Sequence, residues 1–128
     1  MPQSQDHESL VKHLIDHFTS IGLEIQYADY DKYQKPFVIS RHQPDVIAFD
    51  KTKRLGYIGE AKMCADLEEQ RTKEQLHDFS NKVMRSGTSE HIRLPLYIAV
   101  PNDCNSKMTQ TLKELHLESK ENIHVMGF

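Results

Sequence analysis

Pro44-Asp45-Val46-Ile47-Ala48-Phe49-Asp50, then Lys51-Thr52-Lys53-Arg54, then Leu55-Gly56-Tyr57-Ile58-Gly59-Glu60-Ala61-Lys62: the reading of this stretch decides the fold. Two apolar runs separated by a short charged turn form a β-hairpin, hence an antiparallel pair. Side chains at i and i+2 of a strand share a face, so Glu60 and Lys62 point the same way and Ala61 points back into the sheet. Asp45, on the partner strand, can be brought opposite them. Two carboxylates that converge repel each other unless a cation or a proton sits between them. Hard oxygen ligands of this kind suit Mg²⁺ or Mn²⁺. A neighbouring ammonium can then hold an attacking water and offset charge building on phosphate oxygens. The chemistry expected is in-line hydrolysis of a phosphodiester.

Working outward, residues 6–21 carry Leu10, Val11, Leu14, Ile15, Phe18 and Ile21 at helical spacing, with Ser4 or Asp6 as cap and Gly22 as stop. Leu23-Glu24-Ile25-Gln26-Tyr27 alternates as a strand does, and Phe37-Val38-Ile39 offers a further piece of sheet. Past the hairpin, residues 66–86 read as one long polar helix, with Leu76, Phe79 and Val83 facing inward and Gly87 ending it. Leu94-Pro95-Leu96-Tyr97-Ile98-Ala99-Val100 is nearly continuous in apolar residues, as in a strand buried on both faces. A strand, a helix and a buried strand imply a crossover with parallel pairing. Residues 107–117 form another helix and residues 123–126 an edge strand. The expected fold is α/β, a mixed β-sheet flanked by helices in the order α-β-β-β-α-β-α-β, within a single domain.

The combination of Pro44-Asp45 with Glu60-Ala61-Lys62, each set in an apolar strand, resembles the PD-(D/E)XK nucleases, which include restriction endonucleases and Holliday junction resolvases. The core of that superfamily, a helix, a three-strand meander, a helix and a further strand, spans about residues 6–101 here. The resemblance implies a restriction endonuclease-like core and a metal-dependent endonuclease acting on DNA, including branched DNA. It casts Asp45 and Glu60 as ligands of Mg²⁺ or Mn²⁺, and Lys62 as catalytic base or electrostatic stabiliser. It also implies an acidic residue on the first helix, best matched by Glu8, and a polar residue on the helix after Lys62, matched by Gln75. Homodimerisation is the habit of that family. The same three charges would also fit a solvated sheet face with a Glu–Lys cross-pair, and a non-catalytic binding or assembly subunit with a partner protein, or an RNA-cleaving nuclease, would fit the same pattern.

Arg41 and His42 precede the aspartate and are placed to meet a backbone phosphate, as are Arg71 and Lys73 on the following helix. Either pair would serve equally as ordinary surface charge, Arg71 and Lys73 pairing with Glu68, Glu69 or Glu74. Tyr27, Tyr30 and Tyr33, interleaved with Lys32 and Lys35, suit base stacking or plain packing. His13 and His17 have the i, i+4 spacing of zinc ligands but lack the intervening glutamate, so they are read as solvent-facing.

The chain has 128 residues, 38% of them hydrophobic and 27% charged, the balance of a folded domain. Its formal charge of −3 counts against a broadly basic surface, so nucleic acid would be met by a local basic patch, a metal ion or a partner. Cys64 and Cys104, without CxxC spacing, are expected to be free thiols. No stretch is long and apolar enough to span a bilayer. The first residues lack the basic start and apolar core of a secretory signal, so the expectation is a cytoplasmic protein without membrane contact.

Overall fold

The computed structural model describes residues 6–128. Asp6 opens the first helix, α1 (His7–Ser20), its carboxylate accepting the Ser9 N–H at 2.7 Å. The other cap candidate, Ser4, lies outside the described residues. Leu10, Val11, Leu14, Ile15 and Phe18 are all buried on one stripe. Ile21, expected on that stripe, is 47% exposed, because the helix has already ended. Its N–H bonds the His17 carbonyl as the C-cap, and Gly22 then turns the chain at φ +87°.

Five strands follow: β1 (Glu24–Ala28), β2 (Val46–Asp50), β3 (Leu55–Ala61), β4 (Leu96–Val100) and β5 (Ile123–Gly127). They lie side by side in chain order, β1, β2 and β3 antiparallel, then β4 and β5 parallel to β3. Between β3 and β4 come a 3₁₀ turn, Cys64–Glu68, and α2 (Gln70–Ser80). Between β4 and β5 come a second 3₁₀ turn, Asn102–Cys104, and α3 (Asn105–Glu114). Over the described residues the protein is α/β, with a mixed five-stranded sheet and three α-helices.

Strand parity divides the interior into two cores. Ile58, Leu96, Ile98 and Val100 pack beneath α2 and α3 with Leu76, Phe79 and Met108. Val46, Ala48, Ala61 and Ala99 pack against α1 with Leu14 and Phe18. Helix α1 approaches β3 at Gly59, where an added Cβ would sit 3.0 Å from Phe18 Cε2 and 3.2 Å from Val46 Cβ. Gly59→Ala is therefore expected to destabilise the fold by about 1–3 kcal/mol in urea unfolding. A loss below about 0.5 kcal/mol would mean that α1 lifts off the sheet freely.

Three expectations need correction. Phe37-Val38-Ile39 adds no strand: Phe37 and Val38 are 53% and 61% exposed, and only Ile39 is buried, bridging His42. With two of its three apolar side chains in water, the segment has no sheet face to fill. The helix expected over 66–86 is shorter at both ends. At its start Asp66 accepts the Met63 N–H at 3.0 Å, making a separate tight turn. At its end the Ser80 hydroxyl and Asn81 amide both donate to the His77 carbonyl, satisfying a free helix-end acceptor. Val83 then pairs with Arg93 in an isolated bridge and is only half-buried. Finally, Cys64 and Cys104 form a disulfide, with Cα atoms 5.7 Å apart. Forty positions separate them in sequence, yet parallel pairing of Ala61 with Ala99 brings the segments that follow β3 and β4 together.

Candidate active site

The β2–β3 ladder pairs Val46 with Gly59 and Ile47 with Ile58. Continued by one step, it sets Asp45 opposite Glu60, and the Asp45 N–H indeed bonds the Gly59 carbonyl at 3.1 Å. Asp45, Glu60 and Lys62 share the parity of Ile58; Lys62 reaches α2, while Asp45, just before β2, also meets the start of α1. Directly opposed residues on one face of an antiparallel pair hold their Cβ atoms about 5 Å apart. The two carboxylates therefore meet, and with Lys62 they line a cleft of about 310 Å³.

The carboxylates differ sharply in setting. Glu60 is 2% exposed, and its Oε2 has no hydrogen-bond partner. The Lys62 ammonium is 3.9 Å from that oxygen, within ionic range but too far for a hydrogen bond. Burial, and then the Asp45 carboxyl beside it, push Glu60 well above the ordinary carboxylate range. Burial works to raise Asp45 as well, but hydrogen bonds from the Glu60 acid proton and from His7 hold it below its usual value. One oxygen, Asp45 Oδ2, also accepts the Ala61 N–H at 2.8 Å. The two carboxyls are thus shifted in opposite directions, Glu60 up and Asp45 down, and titrate as a coupled pair.

Lys62 is buried, and its ammonium donates to Gln75 Oε1 on α2. Gln75 is only 3% exposed, so α2 holds the amine against a buried acceptor. Arg71, one turn earlier, lies on the cleft wall; Lys73 does not. Arg41 and His42 are turned toward α2. Arg41 donates to both Asp78 carboxylate oxygens at 3.0 and 3.1 Å, and His42 Nε2 lies 3.2 Å from Glu74. Neither lines the cleft itself.

Glu8 does not reach the site. It is exposed beside Tyr30, on the wall of a neighbouring groove. The residue that α1 supplies instead is His7, whose Nε2 lies 3.2 Å from Asp45 Oδ2. That hydrogen bond raises the His7 imidazole against the opposing effect of burial. In the sequence His7 is marked only as the first residue after the cap, and the acid that resembles the family pattern stands one position later. His13 and His17 are half-buried rather than solvent-facing, stacked on Phe128 and packed against Tyr97.

Asp45 and Glu60 are the side chains of the cleft that could hold a hard divalent ion. Two oxygen ligands converge, and the unpartnered Glu60 Oε2 is a buried acceptor that a cation would satisfy. Among the described residues no group of three or more His, Cys, Asp or Glu side chains is arranged to hold a metal ion. Water would then complete the shell, as is usual for Mg²⁺. Among the described residues no helix is long and apolar enough to cross a membrane. Compared with known proteins, the chain matches no family, no curated protein and no solved structure.

Proposed function

We propose that the chain is a divalent-metal-dependent endonuclease of DNA, with a restriction endonuclease-like core. The observation that carries this reading is the meeting of Asp45, Glu60 and a buried Lys62 in one cleft, with an unpartnered acceptor on Glu60. Leaving a buried acceptor unmatched costs about 1–3 kcal/mol, and a bound cation turns that cost into affinity. Asp45 and Glu60 hold the ion, and Ala61 N–H and His7 fix the rotamer of Asp45. When bound, Mg²⁺ or Mn²⁺ polarises the phosphoryl group and makes an attacking water more acidic. Lys62 is aimed by Gln75 and is too distant from Glu60 to be neutralised by a direct hydrogen bond, so its N–H groups remain able to orient the nucleophile. Arg71, on the open rim, is placed to meet a non-bridging phosphate oxygen.

The test is nicking of plasmid DNA by pure protein in Mn²⁺, alongside calorimetric titration of the ion. Lys62→Ala is expected to lower the rate by about 10²–10³ while the ion still binds. Asp45→Asn should abolish both. Wild-type protein that takes up no Mn²⁺ would sink the reading. A second reading, a non-catalytic assembly subunit on the same fold, draws support from the acid excess on the cleft wall, where Asp29, Asp66 and Glu69 add to the central pair. It requires that Asp45→Asn leave the protein's role intact.

A further inference from the structure

The cleft is acidic at its centre, and its floor alone cannot attract a polyanion. The positive charge is elsewhere. Residues 82–93 contain Lys82, Arg85 and Arg93 against one acid, Glu90. Among the described residues none of those three cations makes an ion pair with a carboxylate, whereas Arg41, Lys12, Lys51 and Lys107 all do. Two open grooves flank this segment. The first is lined by Phe37, Val38, His77, Lys82 and Arg85. The second is lined by Ile92, Arg93, His116 and Lys120. They adjoin at Val83, which lines both and whose backbone bridges Arg93. Three of the large apolar side chains most exposed to solvent, Phe37, Val38 and Ile92, stand along them at 50–61% exposure.

We propose that this surface is a nucleic-acid track that carries the strand or duplex beyond the cleft, over the C-terminal end of α2. The ligand's identity rests on the nuclease reading; the site does not include the cleft. Two segments build both places. Gln43-Pro44-Asp45 and Arg71 with Gln75 wall the cleft, and their continuations, 37–40 and 77–85, wall the first groove. Arg41 stands between the two, half-exposed and tied to Asp78 and Glu74. Phosphates would meet Lys82, Arg85, Arg93 and Lys120, while Phe37 and Ile92 offer apolar contact to sugars and unstacked bases. Burial, and then Arg85 beside it, lower the Lys82 ammonium from its ordinary value. The acidic total charge of the chain is compatible with this, because the two grooves carry Lys82, Arg85, Arg93 and Lys120 against only Asp78, which Arg41 already pairs, and Glu121.

Fluorescence anisotropy with a labelled DNA duplex and its single strand, in EDTA so that nothing is cleaved, tests the track. The variant Lys82→Glu/Arg85→Glu/Arg93→Glu alters exposed or half-exposed side chains, and its fold is checked by circular dichroism. It is expected to lose at least about tenfold in affinity, and its slope of log Kd against log salt should fall by about 2–3. The control Lys51→Glu/Lys107→Glu/Lys113→Glu makes the same change in net charge elsewhere and should stay within about twofold of wild type. Equal losses in the two variants, or none in the first, would overturn the track. So would wild type that ignores DNA and instead binds polyglutamate through these residues, which would mark an acidic protein as the partner. Wild type that binds DNA along the track but cleaves none in Mn²⁺ would remove the nuclease reading and leave the track standing.

Discussion

Glu60→Gln is expected to yield a protein that is more stable at neutral pH and that neither binds Mn²⁺ nor cleaves. The carboxyl of Glu60 is almost wholly buried, and its folded-state affinity for a proton is raised by burial and by Asp45. An acid with a raised folded pKa supports the fold below its unfolded value, near 4.5 for glutamate. That support is lost as pH climbs toward the folded value, because the unfolded chain ionises first. Gln keeps the shape of the protonated acid without this penalty. Wild type and variant should therefore melt together near pH 4 and separate as pH rises, the variant gaining on the order of 1–3 kcal/mol by pH 8. Metal uptake and Mn²⁺-dependent nicking should fall below detection, a loss of at least about 10³. Thermal melts across pH, paired with calorimetry, check both halves. A variant less stable than wild type at pH 8 would show that Glu60 is an ionised structural partner rather than a buried acid that holds its proton.

Breaking the Cys64–Cys104 bond should have the largest effect on stability. The bridge spans forty positions and closes a loop that contains α2 and β4. Chain-entropy arguments give about 4 kcal/mol for a loop of this length. Against the roughly 5–15 kcal/mol typical of a whole domain, that is a major share. Cys104→Ala, or wild type held in dithiothreitol, is expected to melt on the order of 10–15 °C lower. Lys62 lies two residues before Cys64, and the 3₁₀ turn between the bridge and α2 carries Asp66 at the cleft. Reduced protein should accordingly lose part of its nicking rate even where it remains folded. Melting points that coincide with and without reductant would show that the bridge adds nothing to the fold.

The hairpin is legible in the sequence because burial on both faces imposes unmistakable apolar runs around a polar turn. Parity along it then sets Glu60, Lys62 and Asp45 on one side. The structure adds the direct opposition of Asp45 and Glu60 and the approach of Gln75. Less is legible where tertiary contacts decide. Phe37 and Val38 have strand chemistry, yet the chain gives them no neighbouring ladder. Val83 has the spacing of a helical face, but the Ser80–Asn81 cap ends that helix first. The cysteines carry no local signal, since only the parallel pairing of β3 with β4 unites them. His7 carries none either: its role depends on where the start of α1 falls against β2, which no single-residue pattern encodes.

Alternation along β3 has a consequence for how this chain can tolerate length changes. Tyr57, Gly59 and Ala61 belong to the α1 side, and Ile58, Glu60 and Lys62 to the α2 side. An insertion of one residue between Leu55 and Glu60 would invert this assignment, driving the carboxyl and amine into the oily layer beneath Phe18. The exposed bend at 51–54 is different, because it lies outside the ladder. Duplications or deletions that survive in this hairpin should therefore accumulate at that bend, leaving the spacing from Leu55 to Lys62 untouched.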